Sequence, residues 1–178
     1  MTTQTLEPIL AEHPFFRGLS SDDIQLLTGC ASNVVFKAGD TICREGDPAN
    51  QFLMIRQGKV AVEVHTPGRG SVILQTIGAG EILGWSWLIP PYQWRFDARA
   101  LELTRAIALD GQCLRNKCDA NPRLGYELLK RVAAVFAERL LATRLQHCLR
   151  WHRPVAARCR WILPASSTRL PRQPVHSA

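Results

Sequence analysis

Hydrophobic positions along the chain change their spacing twice. Over residues 6 to 31 they recur at helical intervals: Leu6, Ile9 and Leu10, then Phe15 and Phe16, then Ile24, Leu26 and Leu27. Ser20, followed three residues later by Asp23, is the pattern of a helix start, because a serine hydroxyl accepts a bond from an unpaired first-turn N–H. Over residues 33 to 107 the runs shorten to strand length: Val34 and Phe36, Ile42, Phe52 to Ile55, Val60, Val62 and Val64, Val72 to Ile77, Ile82, then Phe96, Ala98 and Ala100. Turn residues separate them at intervals of about ten positions (Gly39-Asp40, Gly46-Asp47-Pro48, Gln57-Gly58, Gly68-Arg69-Gly70, Gly78-Ala79-Gly80), a rhythm that predicts an antiparallel jelly-roll β-barrel of about eight strands.

Beyond Leu109 the period lengthens again. Cys113, Leu114, Lys117 and Cys118 read as one short helix, broken between Asp119 and Pro122. A long helix follows over 124–149, with Leu129, Val132, Phe136 and Leu140 as its apolar stripe and Leu128, Val135, Leu141, Leu145 and Leu149 widening it. From Tyr126 onward the helix spans roughly 36 Å, more than a small sheet domain needs for its own cover. The surplus predicts a homodimer through helix 124–149. Residues 10–149 form the expected folded domain, and 150–178 a basic, proline-containing tail without lasting periodicity.

Charge follows the same division. The net charge is +7 over 178 residues, yet the six arginines after Leu149 face no acidic residue, which leaves 16 basic against 15 acidic side chains in the first 149. The folded part is nearly neutral, so the basic character belongs to the tail and offers at best salt-sensitive, sequence-independent contact with nucleic acid. No apolar run approaches the length of a spanning helix, and Met1 to Glu12 lacks the basic-then-apolar order of a secretory signal; the cytoplasm is the expected compartment. The six cysteines include no C-x2-C pair, which argues against a zinc site and predicts reduced thiols, some of them buried. No Ser/His/Asp set, usable carboxylate pair or Walker loop occurs, so no enzymatic activity is expected.

The segments Phe36-Lys37-Ala38-Gly39-Asp40-Thr41-Ile42, Arg44-Glu45-Gly46-Asp47-Pro48-Ala49, Phe52-Leu53-Met54-Ile55, Gln57-Gly58-Lys59-Val60 and Gly78-Ala79-Gly80-Glu81-Ile82-Leu83-Gly84, in that order and ahead of a long helix, resemble the cyclic-nucleotide-binding domains of catabolite-activator-type regulators and cyclic-nucleotide-dependent kinases. The resemblance covers residues 10 to 147. It implies a short cassette helix whose backbone N–H groups at Ile82, Leu83 and Gly84 face a cyclic phosphate, with Gly80 permitting close approach and Glu81 accepting a bond from the ribose 2′-hydroxyl. The alternative for Glu81 is a turn carboxylate that caps its own following helix. In the resembling regulators a helix-turn-helix domain follows the long helix. Residues 150–178 show no second and third helix, so the chain is expected to be a sensor without its DNA reader.

One position departs from the pattern. The family places an arginine about nine or ten residues after the glutamate to pair with the phosphate. Alternation along the strand that ends Phe96-Asp97-Ala98 puts Trp94 at that inward position, 13 residues after Glu81, and turns Arg95 and Arg99 to the other face. An indole neutralises no phosphate. Unless a bulge turns Arg95 inward, a cyclic nucleotide or other small anionic ligand should bind weakly or not at all. The intervening Gly84-Trp85-Ser86-Trp87-Leu88-Ile89-Pro90-Pro91-Tyr92-Gln93-Trp94 holds three of the five tryptophans. It is read as pocket filling, a stacking platform for another ligand, or a protein-partner surface over 85–94. The expected function is a cyclic-nucleotide-binding-like sensor that acts through a protein partner, with a non-binding scaffold or assembly subunit as the alternative.

Overall fold

The computed structural model describes residues 6–150 apart from positions 67 and 69, with side chains described as far as Arg144. The chain divides into two compact units, Met1–Val135 and Phe136–Ala178. In the first, helix α1 (Glu7–Glu12), a 3-10 turn (Pro14–Phe16) and helix α2 (Ser21–Thr28) precede eight strands. These are β1 (Ala31–Phe36), β2 (Thr41–Cys43), β3 (Gln51–Gln57), β4 (Val60–Thr66), β5 (Gly70–Ile77), β6 (Ile82–Leu83), β7 (Asp97–Ala100) and β8 (Thr104–Asp110). Helices α3 (Gly111–Ala120) and α4 (Pro122–Arg150) follow, and the described part of the second unit is the continuation of α4. The expected basic tail lies outside the described residues beyond Arg150.

The strands form two separate four-stranded antiparallel sheets, ordered β1-β8-β3-β6 and β2-β7-β4-β5. They do not close into the jelly-roll barrel that the strand rhythm predicts, and the architecture is a mixed α/β one of two sheets with flanking helices. Edge strands β2 and β6 have three and two residues, too few to carry a ladder from one sheet to the other. Register shifts after Thr41, Ile55 and Val62 interrupt the pairing further.

Alternation along the strands sets up two apolar layers. Leu53 and Ile55 of β3, Val60 and Val62 of β4, Ala98 of β7, and Ala106 and Ala108 of β8 share one core between the sheets. Phe52 and Met54 point the other way, paired across strands with the fully buried Leu109 and Ile107. Phe15 and Phe16 close over this second face, with ring centroids 5.1 and 6.3 Å from Phe52, and Trp87 meets it at 6.0 Å. β3 is therefore buried on both sides, which is why it reads as an unbroken apolar run rather than an alternating one.

The helix ends follow local rules. The Ser20 hydroxyl accepts from the Asp23 N–H at 3.2 Å, as the sequence predicts. Asp110 and Asn121 cap α3 and α4 in the same way, accepting from the Cys113 and Leu124 N–H groups. With Asn121 as cap, α4 starts at Pro122, two residues before the expected position, because proline is well suited to a first helical turn. Its buried stripe is Leu124, Leu128 and Val132, while Leu129, expected in the stripe, is 48% exposed. Asp23, buried, pairs with Arg123 at 2.7 Å and ties α2 to the start of α4.

The cysteines correct the expectation of reduced thiols. Cys30, just after α2, and Cys113, in the first turn of α3, form a disulfide with Cα atoms 5.8 Å apart. Sequence spacing cannot reveal it, since the partners lie 83 residues apart. Cys43 and Cys118 are free. Burial, and secondarily the Asp97 carboxylate, pushes the Cys43 thiol from an ordinary 9.0 up to about 12.

Truncating Phe52→Ala should lower unfolding free energy by about 3–5 kcal/mol, because it empties the junction of three rings; urea melts check this, and an unchanged midpoint would refute the packing. Cys43 should resist iodoacetamide at mildly alkaline pH in the folded protein and react once the chain is denatured. Its raised pKa means that the unfolded thiol ionises first, so its share of stability is intact below the unfolded value and lost as pH climbs toward about 12. A Cys43→Ala variant should show a shallower alkaline decline.

Candidate functional site

The segment from Gly78 to Trp94 wraps one end of the first sheet. Gly78 to Gly80 form a turn in which Gly80 takes φ +82°. The Gly80 N–H donates to the Ile55 carbonyl at 2.8 Å, and the Ile55 N–H donates to the Glu81 carbonyl at 3.0 Å. The Glu81 carboxylate turns back on this loop and accepts from the preceding Gly78 N–H at 2.7 Å, not from the helix expected after it.

Ile82 and Leu83 are not the first turn of a helix. They form β6, paired with Met54 and Leu53 of β3, and both are buried. The helical part of the cassette starts later and is a three-residue 3-10 turn, Trp85–Trp87, entered through Gly84 at φ +97°. A single such turn aligns few peptide dipoles, so it lacks the N-terminal field of a longer helix. The expected row of phosphate-facing donors at Ile82 to Gly84 is thus replaced by a strand pairing and one tight turn.

Trp94 points inward and is 5% exposed, in the core that Ala98, Leu83 and Phe96 share. Its ring meets Phe96 edge-on at 5.8 Å. A Cβ on Gly84 would come within 2.5 Å of the Trp94 Cη2 atom and 2.8 Å of the Gln51 carbonyl oxygen. Position 84 therefore needs glycine twice over, for its positive φ and for the indole lying against it. Arg95 is exposed. Arg99 pairs with the buried Glu63 across β7 and β4. Both alternate with the inward-facing Phe96 and Ala98, so neither guanidinium joins Gly80, Glu81 and Gly84.

The remaining insert residues separate into two groups. Trp87 and Ser86 are buried, and among the described residues the Trp87 Nε1 and Ser86 Oγ atoms have no hydrogen-bond partner. Trp85 is half-buried against the inter-sheet core. Ile89 to Gln93 are exposed.

Arg115 of α3 holds this segment in place. Its Nη1 donates to the Trp87 carbonyl at 2.8 Å, and its guanidinium lies 4.5 Å over the Tyr92 ring. Sequence reasoning missed Arg115, which carries no signal beyond a basic residue on a helix; only the approach of α3 to the insert gives it a role. The Glu63–Arg99 pair was missed for the same reason. It lines an open polar cleft of about 220 Å³ with Thr41, Arg44, Ser71 and Asp97. Among the described residues no group of three His, Cys, Asp or Glu side chains is placed to hold a metal ion, and no helix is long and apolar enough to cross a membrane.

Comparison with known proteins agrees with this architecture. Residues 33–121 match the family described as the cyclic nucleotide-binding domain. The CRP-like cAMP-activated global transcriptional regulator of Mycobacterium tuberculosis is 28% identical over 138 residues, covering 78% of this chain and 60% of the regulator. The chain thus spans about three fifths of the length of that relative. The N-terminal domain of a transcriptional regulator from Streptomyces coelicolor A3(2) superposes with a TM-score of 0.60 at 26% identity, over 75% of this chain and 94% of that one. A cyclic nucleotide-binding domain from Methylobacillus flagellatus KT gives a TM-score of 0.67 at 22% identity, over 80% of each chain, which is evidence for the fold. The matched span establishes that the chain belongs to the cyclic nucleotide-binding domain family, a family of regulatory domains.

Proposed function

We propose that this chain is a regulatory domain that works through a protein partner and has weak affinity for cyclic nucleotides. The observation that carries the reading is the buried Trp94 ring against Gly84. A ligand phosphate at Gly80 to Gly84 would need a cation beside it, and the inward side chain there is an indole. Glu81, the candidate for a ribose hydroxyl, is engaged with the Gly78 N–H and would have to release it. Ala98 supplies a small inward surface, but the adjacent Trp94 takes up the room that it leaves.

The partner-facing part of the insert is Ile89 to Gln93, since Trp87 and Trp94 are core residues. Dimerisation through helix 124–149 belongs to the same reading. Tyr126, Leu129, Ala133, Phe136 and Leu140 fall at the three-and-four spacing of a coiled-coil seam. Tyr126 and Leu129 are 61% and 48% exposed, and Leu140 is 53% exposed. This seam is distinct from the buried Leu124, Leu128 and Val132.

Calorimetric titration of the purified chain with cyclic AMP and cyclic GMP should give no saturation in the low micromolar range; submicromolar affinity for either would overturn the reading of Trp94. Total absence of binding, even at millimolar nucleotide, would place the chain with the scaffold alternative, which the same buried ring favours. Replacing Leu129→Glu puts a charge in the seam without touching the core. Its sedimentation mass should fall to that of one chain, and a mass equal to that of the unaltered dimer would remove helix 124–149 as the interface.

A further inference from the structure

Cys113 is the third residue of α3, and its N–H donates to the Asp110 carboxylate that caps the helix. It is half-buried, whereas Cys30 is only 8% exposed, so an external thiol reaches the bond from the Cys113 side. Lys117, one turn further along α3, brings its Nζ within 3.8 Å of where a Cβ on Gly29, the residue before Cys30, would stand. Among the described residues the free cysteines are Cys43 and Cys118. Burial raises both Cys43 and Cys118, and in each case a neighbouring carboxylate, Asp97 or Asp119, raises it further.

α3 is also the element that grips the tryptophan-rich segment. Arg115 holds the Trp87 carbonyl and the Tyr92 ring, and Gly111 lies against Trp87, where a Cβ would be 3.0 Å from the Trp87 Cβ. The disulfide pins the first turn of α3 to the end of α2. Beside the disulfide, the Asp110 N–H donates to the Cys30 carbonyl at 2.9 Å, and the Asp23–Arg123 ion pair joins α2 to α4.

We propose that Cys30 and Cys113 form a thiol–disulfide exchange site through which a small-molecule disulfide or thiol sets how tightly α3 holds the Trp85–Trp94 segment. In the oxidising direction the Cys113 thiolate attacks one sulfur of glutathione disulfide. A Cys113–glutathione bond forms, the original S–S bond breaks, and one glutathione leaves as a thiolate that takes up a proton. Cys30 then loses its proton to solvent and its thiolate attacks the Cys113 sulfur, closing the internal disulfide and releasing the second glutathione. The protein dithiol is oxidised by two electrons, and glutathione disulfide is reduced to two thiols. Reduction runs in reverse: an external thiolate attacks the accessible Cys113 sulfur, and Cys30 leaves as a thiolate that takes up a proton. The proposal is independent of cyclic-nucleotide binding.

The test equilibrates the purified full chain in a series of reduced and oxidised glutathione mixtures, traps thiols by alkylation, and maps each cysteine by mass spectrometry. In the same samples hydrogen exchange is followed over residues 84–94. Cys30 and Cys113 should convert together within the series, with Cys43 unchanged. Amides of 84–94 should exchange about tenfold faster in the reduced form, as expected when a local opening becomes easier. A Cys30→Ser variant should show the fast exchange in every mixture. A pair that stays oxidised in the most reducing mixture, or exchange over 84–94 that ignores the redox state, would overturn the proposal. If Cys30→Ser does not fold, the titration of the unaltered chain decides alone.

Discussion

The contact between the Trp94 indole and the backbone of Gly84 constrains everything around it. The ring stands where a Cβ at position 84 would be, so the chain must pass Gly84 in a left-handed conformation and turn at once into the short Trp85–Trp87 segment. An aromatic ring in that place also excludes a guanidinium from it. The same atoms therefore determine the local backbone and complete the core between the sheets. Glu81 completes the arrangement by spending its carboxylate on the Gly78 turn. The region keeps the glycine framework of its family and devotes the enclosed space to apolar packing.

Around this sits a layered scaffold whose second face matters as much as its first. Because β3 and β8 are buried on both sides, the aromatic cluster of Phe15, Phe16, Phe52 and Trp87 joins the N-terminal helices to the insert through the back of the sheet. α3 borders the same cluster. Its Arg115 reaches the insert and its Cys113 reaches α2, so one ten-residue helix touches both structures that a regulatory signal would have to link. Coupling of this kind needs only an element with two ways of being held.

Legibility in the sequence varied with the range of the interaction. Strand positions, glycine turns, the Ser20 cap and the presence of a long C-terminal helix rest on local periodicity and local backbone preference, and they were readable. So was the inward direction of Trp94: although it precedes β7, burial at Trp94, Phe96, Ala98 and Ala100 keeps the two-residue period. Sheet closure was not readable. The strand rhythm is the same whether the edges of two sheets pair or stay apart, and the short β2 and β6 decide between these outcomes. The cassette was misread for a related reason. Ile82 and Leu83 suit a helix or a strand equally, and the partner strand β3, about thirty residues away, selects the strand.

The sequence by itself determined the family framework, the alternating and helical stretches, and the presence of an indole at the inward position 94, because each depends on residue type and near-neighbour spacing. Only the tertiary structure decided that Glu81 caps its own turn, that Leu129 lies outside the buried stripe of α4, that Arg115 clamps the insert, and that Cys30 meets Cys113. Those outcomes depend on which distant surfaces come together, and no short-range pattern records the meeting of residues 83 positions apart.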